Sequence, residues 1–205
     1  GSEAEIAHDY QGRLVYELLQ NADDAMGGGA PGSRDRIRFR LTDRELLVMN
    51  SGRSLTEADV RGLTSTGASS KTGTPNGGGR ASIGHKGMGF KSILEITDHP
   101  EVYSDTYAFV LDGGRALPEV GAVFQELGHP SPDRVPTMRF PWACSETPDE
   151  WREARDGGFN VLFRFPFKEQ LDSDKITNLA DSLLALPATT ILFLKHLEVV
   201  EIEVQ

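Results

Sequence analysis

Glu17-Leu18-Leu19-Gln20-Asn21-Ala22-Asp23-Asp24-Ala25 lies in a longer segment, Tyr10 to Met26, whose apolar residues recur at helical spacing. Leu14, Val15, Leu18, Leu19, Ala22 and Ala25 make one apolar face. Gly27-Gly28-Gly29 followed by Pro31-Gly32 stops the helix. At about 100° per residue, Glu17, Asn21 and Asp24 fall in a band roughly 60° wide at the edge of that face. Polar groups at such a border meet the core half sheltered from water and can face a pocket, whereas Asp23 is expected on the far, solvated side. Glu17 could serve as a general base towards water, and Asn21 could give an oxygen ligand to Mg2+. Taken alone, the ExxxNxxD spacing is also what helix caps and surface acids produce by chance.

Working outward, Arg36 to Leu41 alternates charge with Ile37, Phe39 and Leu41, the period of a strand wet on one side. Leu46 to Met49 is a continuous apolar run and reads as an inner strand. It ends at Asn50-Ser51-Gly52. An amide oxygen there can accept a hydrogen bond from an amino group such as adenine N6, and a nearby glycine lets a flat base approach the backbone. The plainer reading is an Asn-Ser-Gly turn. Thr56-Glu57-Ala58-Asp59 is a capping-box pattern opening a short helix. From Thr64 to Ser82 the composition is Gly, Ser, Thr and Lys with almost no large apolar residue, so this stretch is expected to be mobile.

Ile83-Gly84-His85-Lys86-Gly87-Met88-Gly89-Phe90 follows and leads into a helix through Ile93 and Leu94. Glycines so spaced before a helix let backbone N–H groups approach phosphate oxygens. No GxxxxGK[ST] P-loop occurs, and the turn is not placed after the first strand as a Rossmann fingerprint would be. Beyond it, Val102–Tyr103 and Tyr107 to Leu111 read as paired strands, and 113–158 is rich in Pro and Gly with no clear pattern. Trp142 and Trp151 within it are expected to be packed. Asn160 to Phe165 reads as a strand, and Ser173 or Asp174 as the cap of a helix carrying Ile176, Leu179, Leu183 and Leu184. Thr190 to Leu194 and Leu197 to Val204 read as closing strands. This irregular interleaving favours an α+β, two-layer α/β sandwich with helices on one face of a mixed, mostly antiparallel sheet.

In this order the motifs resemble the GHKL ATPase superfamily, which includes Hsp90, gyrase B, MutL and histidine kinases. Glu17 to Ala25 looks like its N-box, Asn50-Ser51-Gly52 its first glycine box, Ile83 to Phe90 its second, and the segment 64–82 its ATP lid. Leu-Gln-Asn-Ala-Asp-Asp-Ala and Gly-Met-Gly-Phe-Lys-Ser are most similar to the sacsin and NO VEIN type of Hsp90-like domain. The resemblance implies a Bergerat-type fold binding ATP and Mg2+. Glu17 would then be the general base and Asn21 the Mg2+ ligand, with Asp24 and Ala25 lining the sugar and base side. Asn50 would read the base where many relatives carry an aspartate, with Gly52 and Leu55 packing on it. Gly84, Gly87, Met88, Gly89 and Phe90 would supply phosphate contacts and the back wall, with Lys71 and Lys86 as counter-charges. Many relatives also use a threonine near the last sheet strand, where this chain has Phe159-Asn160-Val161.

Composition limits the rest. The 205 residues suit one domain, and the net charge of -10, from 21 basic and 31 acidic residues, gives no support to a nucleic-acid partner. Cys144 is the lone cysteine, so no intrachain disulfide or CxxC site is possible. Gly1-Ser2 reads as a cloning remnant and 3–205 as the domain, cut from a longer chain. No apolar run reaches membrane-spanning length. The expectation is a cytoplasmic (or nuclear) protein whose slow ATP hydrolysis switches conformation within a larger chaperone-like or defence-type protein. Its partners would be downstream domains of the same chain and possibly a dimer partner. The alternatives kept open are a GHKL module that binds nucleotide or proteins without hydrolysis, a histidine kinase catalytic domain, and a DNA-processing relative.

Overall fold

The alternation in Arg36–Leu41 becomes strand β1, with Ile37, Phe39 and Leu41 buried and the three arginines half-buried on the other face. A computed structural model describes residues 3–26, 34–64 and 90–205 of the chain. The segment expected to form a lid beyond Thr64 and the expected glycine turn, with Lys71, Gly84, Lys86, Gly87, Met88 and Gly89, lie outside the described residues, as does Gly1-Ser2. Strand β2 (Glu45–Asn50) pairs antiparallel with β1 and is buried from Leu46 to Asn50, as expected of an inner strand. The other strands are β3 (Glu101–Ser104), β4 (Ala108–Leu111), β5 (Pro141–Ala143), β6 (Val161–Pro166) and β7 (Val199–Val204). They form one seven-stranded sheet in the order β5-β4-β3-β6-β2-β1-β7, in which β1 and β7 run parallel and every other pair antiparallel.

Helix α1 (Glu3–Ala25) begins before the apolar period does and presents Leu14, Val15, Leu18, Leu19 and Ala22 to the sheet. Helix α5 (Ser173–Leu184) lies in the same layer through Leu179 and Leu183, and both share a core with Phe39, Val48, Val102, Phe109, Leu111 and Phe165. A 3-10 helix, Phe90–Glu95, adds Ile93 to it. This is the two-layer α+β sandwich expected, with a mixed, mostly antiparallel sheet. The cap of α5 is Asp172, one residue before the expected Ser173, its carboxylate accepting from Asp174 N at 3.0 Å.

Helix α2 (Glu57–Thr64) starts where the capping box placed it. Thr56 N donates to Asp59 Oδ2 at 2.8 Å, and Asp59 N lies 3.4 Å from Thr56 Oγ1, so each residue covers the other's free amide. Thr56→Ala is expected to cost about 1 kcal/mol, read as a shift of the chemical-denaturation midpoint at unchanged slope.

The Pro/Gly-rich stretch 113–158 holds α3 (Gly113–Glu126), a 3-10 turn at Thr137–Arg139, β5 and α4 (Asp149–Asp156). Both tryptophans pack. Trp151 is buried against Leu47, Met49, Tyr103, Phe159 and Leu162 on the sheet face away from α1, and Trp142 Nε1 donates to Asp112 O at 2.9 Å. That second face carries an ion ladder beside α4. Arg40 bridges Glu203 at 2.8 Å and Glu153 at 2.6 Å, and Arg164 bridges Glu45 at 2.6 Å and Glu101 at 3.2 Å.

One expected strand is corrected. Thr190 to Leu194 falls within a 3-10 helix, Ala188–Phe193, after Pro187. The place beside β1 is taken by β7, and the amides of Lys195, His196 and Leu197 that follow are held by Asp23 of α1. The segment therefore closes into a 3-10 turn with Leu192 and Phe193 exposed.

Candidate functional site

Beneath the end of α1 is a cleft lined by Leu18, Asn21, Ala22, Asp24 and Ala25 of that helix and by Val48 and Asn50 of β2. Leu55, Asp59 and Leu63 close one side, and Val161 and Phe163 of β6 form the floor. The sheet supplies this floor because inward residues alternate: Val48 and Asn50 on β2, Val161 and Phe163 on β6. Asn21, Asp24, Ala25, Asn50 and Leu55, drawn from two separate motifs, therefore meet around one cavity.

Asn50 is the unusual member. It is 4% exposed, and its Oδ1 has no hydrogen-bond partner among the described residues. A buried acceptor left so costs about 1–3 kcal/mol unless something else meets it. Its backbone is fixed between β1 and β6, and its carbonyl accepts from Asn160 N at 2.9 Å. Asn160 turns its own amide elsewhere: Nδ2 donates to Ser51 O at 3.2 Å and Gly52 O at 3.0 Å. Its position thus braces the turn after β2.

Gly52 packs on α1. A Cβ there would lie 2.7 Å from Ala25 O, the atom that accepts Arg53 N at 3.0 Å. The glycine is needed for the helix end to approach the turn, and that approach sets the cavity's height.

Arg53 and Asp59 were not expected in the wall. Asp59 is 4% exposed and takes a two-pronged pair with Arg53, Nη2 to Oδ1 at 2.9 Å, besides Thr56 N and Oγ1. Burial alone would raise its carboxyl. The Arg53 guanidinium and the Thr56 donors outweigh it, so Asp59 sits below the ordinary carboxylate range. The same pairing raises Arg53. The capping-box motif located Asp59, but nothing in the sequence showed that Arg53 would reach over it.

Glu17 stands one turn before Asn21 and outside the cleft lining. Its Oε1 accepts Arg13 Nε at 3.2 Å, and its Oε2 accepts Ser92 Oγ at 3.1 Å. Phe90 opens the 3-10 helix that carries Ser92.

Asp23 is a correction. It is buried, not on the solvated side, and its carboxylate accepts Lys195 N at 3.0 Å, His196 N at 2.7 Å and Leu197 N at 2.9 Å. The helix wheel places it away from the cleft, but the turn entering β7 wraps over that side of α1. Among the described residues no group of three or more His, Cys, Asp or Glu is disposed to hold a metal ion, and no helix is long and apolar enough to cross a membrane.

Fold and cleft together define a two-layer α+β domain with a mostly apolar pocket between its first helix and the centre of its sheet. The Sacsin domain family matches residues 38–205, and the chain belongs to that family. It is 27% identical over 187 residues to Protein NO VEIN of Arabidopsis thaliana, covering 90% of this chain and 6% of that protein. It is 27% identical over 231 residues to Sacsin of Homo sapiens, covering 96% of this chain and 5% of that protein. The chain thus spans about one twentieth of the length of these relatives. The family match begins inside β1, so α1 with Glu17, Asn21 and Asp24 precedes it.

Proposed function

We propose that this domain binds ATP with Mg2+ in the cleft under α1 and uses it as a conformational switch, with slow hydrolysis, inside a larger chaperone-like or defence-type protein. The observation that carries the reading is the buried Asn50 Oδ1, without a partner among the described residues, opening on a cavity with mostly apolar walls. Such a wall suits a flat heterocycle, and a single convergent acceptor orients it through an exocyclic amino group. Asn50 would take the base, with Ala25, Leu55 and the Gly52 turn beside it. Asp24 would face the sugar, and Asn21 would hold the Mg2+, which supplies charge neutralisation to the phosphates when bound. By the resemblance, phosphate contacts fall to Lys71, Gly84, Lys86, Gly87, Met88, Gly89 and Phe90. Downstream domains of the same chain, and a dimer partner, are the proposed recipients of the switch.

Binding without hydrolysis is favoured by one feature. Both Glu17 oxygens already accept hydrogen bonds, from Arg13 and Ser92, and Glu17 does not line the cleft. For Glu17 to orient a water, that arrangement has to open or to leave a lone pair free.

Calorimetric titration with ATP and ADP, with and without Mg2+, separates these readings. The expected result is Mg2+-dependent binding that Asn21→Ala weakens at least about tenfold, with ligand at about 100 Kd adding about 2.7 kcal/mol of stability. Glu17→Ala is expected to keep the binding and lose phosphate release; turnover that survives it removes Glu17 as the base. No heat and no melting shift at millimolar nucleotide would overturn the proposal.

A further inference from the structure

Asn50 carries a carboxamide, not a carboxylate, and no hydrogen bond to a described residue fixes which way it faces. Its Oδ1 has no partner, and no hydrogen bond ties its side chain to the described residues around it. The backbone is held on both sides by β1 and β6, so the Cα stays in place while the amide can turn about its last torsion. Val48, Leu55, Leu63, Val161 and Phe163 offer no side-chain donor or acceptor to select one orientation. Arg53 and Asp59 in the wall are paired with each other, and no hydrogen bond joins Asn50 to Asn21 or Asp24, the other polar residues of the lining.

An amide free to turn matches two purine edges. With oxygen forward it accepts from a 6-amino group while its NH2 donates to an unprotonated N1. With nitrogen forward it donates to a 6-oxo group while its oxygen accepts from N1–H. A carboxylate at this position could only accept: whichever purine it meets, one of its oxygens is set against N1 or against a 6-oxo group with no hydrogen between them.

We infer that the base subsite reads the purine 6-position without strong preference between amino and oxo, so that 6-oxopurine nucleotides, the class to which guanine belongs, bind as adenine nucleotides do. Asn50 is then the specificity-determining residue. The inference rests on the nucleotide-binding reading given above.

The probe is inosine triphosphate, which differs from ATP at C6 and N1 and lacks the 2-amino group of guanine. Titrated with Mg2+ into the unaltered domain, it is expected to bind within about tenfold of ATP. Asn50→Asp is expected to weaken both nucleotides about tenfold, since each loses the bond that the amide NH2 donates. The wild-type ratio needs no variant, so a misfolded Asn50→Asp does not blunt the test. ATP binding with an inosine nucleotide more than about a hundredfold weaker overturns the inference and leaves the nucleotide reading standing. An Asn50→Asp variant that folds and binds both nucleotides as tightly as the unaltered domain overturns Asn50 as its source. Binding of neither nucleotide removes both.

Discussion

Asp23→Ala is expected to cost the domain about 3 kcal/mol of folding stability, which for a chain of this size lowers the melting temperature by about 6–12 °C. The carboxylate is 5% exposed and accepts the amides of Lys195, His196 and Leu197, all three in the turn that enters β7. Truncation leaves those N–H groups facing a cavity that alanine cannot fill, and Leu197 is itself in the core. Asp23→Asn keeps one acceptor oxygen and is expected to lose less than the alanine variant. Thermal melts of the three proteins check this, and an alanine variant melting within a degree or two of the unaltered domain would show that the turn is held by other contacts. The same group sets a pH dependence. Burial would raise the Asp23 carboxyl, but the amides of Lys195, Leu197 and His196 outweigh it and hold it below its ordinary value. An unfolded-state aspartate titrates at about 3.9. The stabilisation is therefore complete above that pH and is lost as the pH falls through the lowered folded value. Asp59 acts in the same direction. Melting temperature is expected to fall on acidification below about pH 4, and less steeply in Asp23→Ala.

Asp23 also shows what periodicity leaves out. A wheel drawn from one helix reports that helix's own two sides, so it separated Asn21 and Asp24 from Asp23 correctly and then assigned the second side to water. The partner that buries Asp23 lies about 170 residues further along, in a turn with no pattern of its own. Part of the cleft was legible: helix spacing set Asn21 and Asp24 at the border of the apolar face, and the inner strand ended at Asn50. Ala25 and Leu55 came only from the resemblance, and the capping box fixed Asp59 in its helix without placing it in the wall. Arg53 was not legible, since its pairing with Asp59 depends on how the chain turns between β2 and α2.

The segment 113–158 showed no clear pattern for a related reason. Gly113, Gly114, Gly121 and Pro118 are residues that ordinarily disfavour a helix, yet all sit inside α3. Gly113 is required by packing, since a Cβ there would lie 2.6 Å from Val135 O. Thr190 to Leu194 has strand composition, but β7 holds the place beside β1 and the residues just after the segment are tied to Asp23 on α1.

Gly52→Val is expected to destabilise the domain by about 2–3 kcal/mol and to abolish the nucleotide-dependent rise in melting temperature. The reason is space and not backbone freedom. Gly128 and Gly158 are the described glycines with positive φ; Gly52 is not among them. Its added Cβ would meet Ala25 O at 2.7 Å and Ala25 C at 3.0 Å, both main-chain atoms at the last turn of α1. Main chain cannot rotate aside as a side chain can, so the helix end must lift or the turn must drop. Either motion breaks Arg53 N to Ala25 O and moves Ala25 and Asp24 relative to Asn50, the residues that line the cleft. Gly52→Ala should show most of the stability loss, because the first carbon makes the clash. Removing the Ala25 side chain relieves only its Cβ contact at 3.3 Å, so Gly52→Ala with Ala25→Gly is expected to melt no higher than Gly52→Ala alone. If the double variant recovers both stability and the ligand-induced shift, the contact is between side chains and the cleft does not depend on how closely the backbone of α1 approaches the turn. If it recovers neither, the height of the cavity is set by a backbone contact that only glycine at position 52 permits.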